Sequence, residues 1–316
     1  MANKIKNQSM ELLKELCHIH APSGNESAMT HFLLKYIEEN KSKWKHQPEI
    51  ISGGDFQDCI VLKFGKPTTA VFAHIDSIGY TVKYNRELVK VGGPKVEDGD
   101  MLCGTDSKGH FEAELVVLEN DYGDRKIEYL LDREIDRGTD LSFLPNWRED
   151  ENFVQCCYMD NRLGVWNALQ LAETLENGVI CFSTYEEHGG GTVGFLAKYM
   201  YENWNVRQAL ISDITWVTEG VEHGKGVAIS MRDSGIPRRT WLNRVLDLAK
   251  ESKIPYQLEV EGAGGSDGNQ LQKSPYPFDW LFIGAPEDNV HTPNEKVHKF
   301  DIDSMVKMYK YLMLHL

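Results

Sequence analysis

Near the start of the chain apolar residues recur at helical spacing. Leu12, Leu13, Leu16 and Ile19 form one stripe, and Met29, Phe32, Leu33, Tyr36 and Ile37 form a second. Ala21-Pro22-Ser23-Gly24 breaks the pattern between them, and Asn25 or Ser27 is placed to cap the second helix. The run TAVFA, Thr69 to Ala73, is short and apolar and stops abruptly at a polar cluster, which predicts a buried strand. Between about Arg86 and Asn152 the pattern changes. Turn dipeptides there separate short runs such as Glu114 to Leu118 and Lys126 to Leu131, with no long helical period, and this predicts small antiparallel strands. Beyond Asp160 helices and strands alternate. Helices are predicted at about Arg162 to Leu175, Val193 to Tyr201, Thr240 to Glu251 and Ile302 to His315, and strands at Val179 to Thr184, Gln208 to Ser212 and Asp279 to Ile283.

That alternation predicts an α/β fold, a mostly parallel sheet covered by helices. The change of pattern predicts an inserted β-rich domain at residues 86–152, dividing one catalytic domain into residues 1–85 and 153–316. The full length of 316 residues, 41% of them hydrophobic, is enough to bury such a core. A net charge of −14 repels phosphate backbones and anionic lipid, so the expectation is no nucleic acid and no membrane, with metal ions and cationic groups as the ligands that remain. MANKIKNQSM lacks the apolar centre of a signal peptide and no stretch approaches the roughly 18 apolar residues of a membrane span, which predicts a cytoplasmic protein. Six cysteines form no CxxC pair, so neither a thiol zinc knuckle nor a disulfide scaffold is indicated.

Open α/β sheets bind ligands beyond the carboxyl ends of their strands. TAVFA runs into His74-Ile75-Asp76, VICFST into Tyr185-Glu186-Glu187-His188, and QALIS into Asp213. WLFIG leads a few residues later to His291-Thr292-Pro293, and Val154 to Met159 ends in Asp160. Three carboxylates and two imidazoles on one sheet edge are costly to bury without a cation. Two zinc-like divalent ions balance them, four positive charges against three negative. Donors of nitrogen and oxygen without thiolate suit zinc, cobalt or manganese. Each piece alone has an ordinary reading: HxD is common near turns, a Glu pair can open a solvated helix, and Asp213 and Asp160 could be turn or capping residues. Their joint occurrence in the order HxD, D, EE, D, H is what carries weight.

The ordered set resembles the co-catalytic metallo-aminopeptidases of the glutamyl and tetrahedral aminopeptidase type. The matching segments are APSGNES (Ala21 to Ser27), AHIDSIGY (Ala73 to Tyr80), MDNRLGV (Met159 to Val165), YEEHGGGTVG (Tyr185 to Gly194), SDIT (Ser212 to Thr215), GGSDG (Gly264 to Gly268) and HTPNE (His291 to Glu295). From His74 to Asp160 is 160 − 74 = 86 positions, room for an insertion. Related carboxypeptidase-like deacylases place their extra domain later, before the last His, so the early gap favours the aminopeptidase branch.

The resemblance implies that His74, Asp160 and Asp213 hold one metal and Asp160, Glu187 and His291 the other, with Asp160 bridging. It further implies Glu186 as general acid/base, Asp76 as the carboxylate that orients His74, and a peptide bond after Asp160 that is often cis. Peptide substrates hydrolysed at the N-terminal bond, and a homo-oligomer, follow from the same likeness. His188 and the triple Gly189-Gly190-Gly191 depart from the pattern and read either as an exposed loop or as a substrate contact. Gly265-Ser266-Asp267 reads either as pocket lining or as an ordinary turn. The rival functions are a dipeptidase or small-molecule amide deacylase on the same metals, a non-catalytic peptide-binding homologue, and a glycosidase using Glu186 and Glu187. Adjacent strand residues point to opposite faces, which disfavours a carboxylate pair that must flank one bond at roughly 5 to 9.5 Å.

Overall fold

The structure is a computed structural model and describes residues 2–119 and 125–316. The chain begins with α1 (Ala2–Cys17) and α2 (Ser27–Asn40), followed by β1 (Glu49–Ser52), β2 (Ile60–Phe64) and β3 (Thr69–His74). Next come β4 (Gly79–Val82), β5 (Leu88–Val91), β6 (Met101–Asp106), β7 (Gly109–Glu119), β8 (Arg125–Leu130) and β9 (Asp140–Phe143). Two short strands, β10 (Arg148–Glu149) and β11 (Phe153–Gln155), precede α3 (Met159–Ala172), β12 (Gly178–Ser183), α4 (Val193–Trp204) and β13 (Gln208–Trp216). The chain ends with β14 (Val227–Ser230), α5 (Arg239–Ser252), β15 (Tyr256–Glu259), α6 (Asp267–Lys273), β16 (Asp279–Asp288), β17 (Lys296–His298) and α7 (Lys299–His315).

The main sheet runs β1-β2-β12-β3-β13-β16-β17-β11-β10, with β14 and β15 joined alongside β16. Its centre, β12, β3, β13 and β16, is parallel, and the pairings at its margins are antiparallel apart from the parallel β14–β15 pair. Every residue of β3 is buried because both faces are covered, and this is why its sequence shows no polar alternation. The side chains nonetheless alternate between two cores. Ala70 and Phe72, with Ala209 and Ile211 of β13, pack against Val193, Leu196 and Met200 of α4 and Leu271 of α6. Val71 and Ala73, with Leu210 of β13, pack toward α1, α3, α5 and α7. Filling a core layer in this way stabilises by about 1.5–3 kcal/mol for each fully buried large aliphatic or aromatic side chain.

The second sheet is antiparallel throughout, in the order β5-β4-β9-β6-β7-β8. Along β7, Phe111, Ala113 and Leu115 are buried while His110, Glu112 and Glu114 are exposed, the alternation of a sheet with one wet face. This sheet spans Gly79 to Phe143, earlier at both ends than the predicted 86–152. The turn signal near Arg86 is the β4–β5 hairpin inside the sheet, where Asn85 and Arg86 take positive φ. Residues 148–155 return to the main sheet through β17. Two strands also outrun their predictions, β13 continuing to Trp216 and β16 to Asp288, because they pair with each other along their length.

Candidate metal centre

The parallel register brings the predicted residues to one edge. Ile211 of β13 lies opposite Phe72 of β3, so Asp213 and His74 stand level at two residues beyond, on the same face. His74 also lies opposite Ser183, the last residue of β12, and the chain then turns at Tyr185, with positive φ, into Glu186 and Glu187. Asp160 enters from α3, whose start is not helical: Asp160 has φ −78° and ψ 101°, and the Asp160–Asn161 peptide is cis. The Asn161 side chain donates to the Ser212 carbonyl at 2.9 Å and accepts from the Gly164 amide at 2.9 Å, clamping this turn onto β13. A Cβ on Gly164 would lie 2.1 Å from both Asn161 Oδ1 and the Ser212 carbonyl oxygen, so only glycine permits the approach.

Asp160 presents its two oxygens to different histidines. Oδ1 is 3.2 Å from His74 Nε2, and Oδ2 is 3.2 Å from His291 Nε2. Asp213 Oδ2 lies 3.6 Å from His74 Nε2, and Glu187 Oε2 lies 3.3 Å from His291 Nε2. Two groups of donor atoms result, His74 with Asp160 and Asp213, and Asp160 with Glu187 and His291. Within each group the atoms lie within 4.8 Å of one another. Glu186 belongs to neither, and its Oε2 lies 4.0 Å from His74 Nε2.

Asp76 does more than face His74 at 3.4 Å. Its two oxygens accept the backbone N–H groups of Glu186 and Glu187 at 3.1 Å each, and Ser23 donates its hydroxyl to it at 2.5 Å. Against the cost of burial, these bonds and the His74 ring hold the Asp76 carboxyl below the usual range. Glu295 has a parallel role that the sequence left unassigned: it accepts from the backbone N–H of His291 at 2.9 Å and from that of Asp160 at 3.2 Å. The fully buried Arg162 donates to the Ile75 and Asp76 carbonyls and so fixes the turn between His74 and Asp76. His291 Nδ1 meets the Gly93 carbonyl at 3.1 Å, which leaves Nε2 facing Asp160 and Glu187, free to hold a metal ion. Ser23, Arg162, Asp267 and Glu295 all lie in segments quoted for the resemblance, which for Ser23, Arg162 and Glu295 is the signal that could have found them.

His188 is exposed, and its Nδ1 accepts the Gly92 amide at 3.1 Å, tying the loop after Glu187 to the end of β5. Gly190 has positive φ, and a Cβ there would meet Gln270 at 2.4 Å. Asp267 is buried beside Ser183, whose hydroxyl it accepts, and burial pushes its carboxyl up to about 6.

The electrostatics show too much negative charge for a site without a cation. Burial, reinforced by Asp160, pushes the Glu187 carboxyl well up, and burial with Asp160 and Glu186 does the same to Asp213 against the opposing pull of His74. Burial pushes Glu186 up to about 8. His74, which burial alone would lower, is raised well above an ordinary histidine by Asp213, Asp160 and Asp76. Glu187 Oε1 is buried with no hydrogen-bond partner among the described residues. A donor set of two imidazoles and three carboxylates, in excess charge and with an orphaned oxygen, fits divalent cations of the zinc type. The centre opens into a cavity of ≈ 280 Å³.

A family model described as M42 glutamyl aminopeptidase matches residues 114–308. The chain belongs to the M42 glutamyl aminopeptidase family. It is a hydrolase, an aminopeptidase of a metal-dependent family, and this membership sets aside the glycosidase reading of the Glu186-Glu187 pair. A protein of Acetivibrio thermocellus named as a candidate aminopeptidase is 26% identical over 332 residues, covering 94% of this M42 chain and 96% of its own. The fold is shared with a TET aminopeptidase from a marine sediment archaeon of the Thaumarchaeota, at TM-score 0.85 and 17% identity over 98% of this chain and 97% of that one. The Pyrococcus horikoshii TET1 peptidase, described as assembling into a tetrahedron or a large octahedral shell, superposes with TM-score 0.79 at 21% identity, over 98% of this chain and all of its own.

Proposed function

We propose that this M42 aminopeptidase removes N-terminal residues from peptides at a two-metal centre, with Asp160 shared between the ions. The observation that carries the reading is the division of the Asp160 oxygens between His74 and His291, each histidine paired with its own further carboxylate. In this reading His74, Asp160 and Asp213 hold one ion, and Asp160, Glu187 and His291 the other. The ions, zinc first with cobalt or manganese as alternatives, would polarise the scissile carbonyl and lower the pKa of water.

The remaining work falls to the chain. Glu186 stands beside both donor groups without belonging to either, so its carboxylate is free to take a proton from the attacking water and return it to the leaving amine. Asp76 fixes the backbone of Glu186 and Glu187 and faces the His74 ring. Glu295 fixes the backbone of the other two ligand segments, at Asp160 and His291. The excess acid also suits a free α-amine, as an aminopeptidase substrate requires. Acetylation of the substrate N-terminus is the discriminating experiment: it abolishes hydrolysis by an aminopeptidase, whereas an amide deacylase would retain it. Among the described residues no helix is long and apolar enough to cross a membrane, and a cytoplasmic location remains part of the proposal. We also assign a homo-oligomer, with the sheet inserted between His74 and Asp160 as the contact surface. The assembly named for the Pyrococcus horikoshii structure supports it.

A further inference from the structure

The lining of the cavity that opens from the metal centre includes two chemically distinct groups of side chains. Ile214, Trp216, Phe282 and Val290 supply apolar wall, with Trp216 lying over Gly264, where a Cβ would sit 3.3 Å from its ring. Asp233, Glu259 and Glu261 supply carboxylates to the same cavity. They come together because β14 and β15 run parallel, and the pairing continues past both strands through the Met231 amide to the Glu259 carbonyl and the Glu261 amide to the Arg232 carbonyl.

These acids form no ion pair among the described residues. Among the described residues no Lys, Arg or His nitrogen lies within 4.0 Å of any of the three carboxylates. Arg232 directs its Nε to the Asp233 carbonyl oxygen rather than to the carboxylate. Lys95, the one lysine lining the cavity among the described residues, is exposed and belongs to the metal end, where its amide donates to the His291 carbonyl. Asp233 is only 8% exposed, and while Oδ1 accepts the Gly235 amide, Oδ2 has no donor among the described residues. Glu259, 3% exposed, accepts the Thr215 hydroxyl and nothing cationic. Burial pushes both carboxyls up, for Asp233 against its backbone hydrogen bonds and the Arg232 charge and for Glu259 against its hydroxyl partners. Buried carboxylates with no ion-pair partner are costly to maintain, and a cationic ligand head would relieve that cost.

We propose that this cavity receives the substrate's N-terminal side chain and selects lysine or arginine. The apolar wall takes the methylene stem, and Asp233, Glu259 and Glu261 receive the ammonium or guanidinium head. An N-terminal glutamate, the residue in the family's description, would meet like charge there and be rejected. The proposal rests on the aminopeptidase reading, since the pocket is placed by its junction with the metal centre.

The test is a panel of aminoacyl amides of lysine, arginine, norleucine, leucine and glutamate offered to the metal-loaded enzyme. Calorimetric titration with free L-lysine and with its uncharged analogue L-norleucine runs alongside. Lysine and arginine are expected to exceed norleucine in kcat/KM by roughly tenfold or more, the effect of a hydrogen bond to a charged group, and glutamate to rank last. Glu261→Gln, at a partly exposed position, should lower the lysine-to-norleucine ratio by a similar factor, and Asp233→Asn should do the same. A ratio near one, a preference for glutamate, or variants that slow all substrates equally would overturn the proposal and leave an aminopeptidase whose acids hold the α-amine or the fold. If no amide is hydrolysed but lysine binds tenfold tighter than norleucine, the activity reading fails while the pocket assignment stands. If lysine and norleucine bind equally as well, both fail.

Discussion

Replacing Asp76 by asparagine keeps the side chain's shape and removes its charge, so the consequence can be worked from its four contacts. Oδ1 serves the Glu186 amide and His74 Nδ1, and Oδ2 serves the Glu187 amide and the Ser23 hydroxyl. An asparagine has one acceptor oxygen, and whichever way it turns, its NH2 group faces donors on the other side. Two hydrogen bonds to a charged acceptor are therefore lost, at roughly 1.5–3 kcal/mol each. Allowing for relaxation, we expect Asp76→Asn to cost about 3 kcal/mol of stability, on the order of 5–10 °C in Tm. Metal affinity should fall by roughly 10–100-fold, because the ring of His74 and the backbone of Glu187 lose their support. Thermal unfolding of chelator-treated protein gives the first quantity, and competitive titration with a zinc-binding dye gives the second. Unchanged metal affinity in a variant that has lost the stability would show that Asp76 serves the fold alone. Unchanged values of both would refute the reasoning.

Glu186→Gln should keep the wild-type metal content and lower turnover by roughly 10²–10⁴-fold, read by elemental analysis beside initial rates. Equal metal loss in Glu186→Gln and Glu187→Gln would show the roles in the pair to be misassigned. Glu26, buried at the start of α2, is pushed up to about 7 from 4.5 chiefly by burial, so folding favours its protonated form and its contribution is lost as pH rises from about 4.5 to 7. Relative to wild type, Glu26→Gln in metal-free protein should gain up to about 3 kcal/mol over that window, from 7 − 4.5 = 2.5 units at 1.36 kcal/mol each. Urea melts at pH 4.5 and 8 check this, and a difference independent of pH would contradict it. Light scattering should find an oligomer at concentrations where the enzyme is active, and deletion within the second sheet should reduce it. A monomer at full activity would remove the proposed assembly.

The donor residues were visible because strongly polar side chains interrupt apolar runs at the ends of strands: nothing in the packing of TAVFA calls for His74 or Asp76 after it. Asp213 was visible as chemistry but misplaced as structure. A strand predicted to stop at its first charged residue in fact continues to Trp216, because backbone pairing with β16 is indifferent to the polarity of Asp213. Glu295 could not be told from a solvated turn residue, since its role is to accept two backbone amides brought together only by the fold. Asp233, Glu259 and Glu261 raise the same difficulty, lying on two separate segments that the parallel β14–β15 pairing alone makes neighbours. The limits of the second sheet were displaced because sequence patterning marks turns, and the turn at Asn85-Arg86 lies within the sheet.

The central claim is that one aspartate joins two metal sites. Elemental analysis of protein dialysed against zinc or cobalt, with Asp160→Asn and Asp213→Asn measured in parallel, tests it most directly. Wild type should hold about two ions per chain, Asp213→Asn should retain the ion of the Glu187–His291 group, and Asp160→Asn should hold none tightly. A wild-type content of at most one ion, or an Asp160→Asn protein that keeps both, would contradict it.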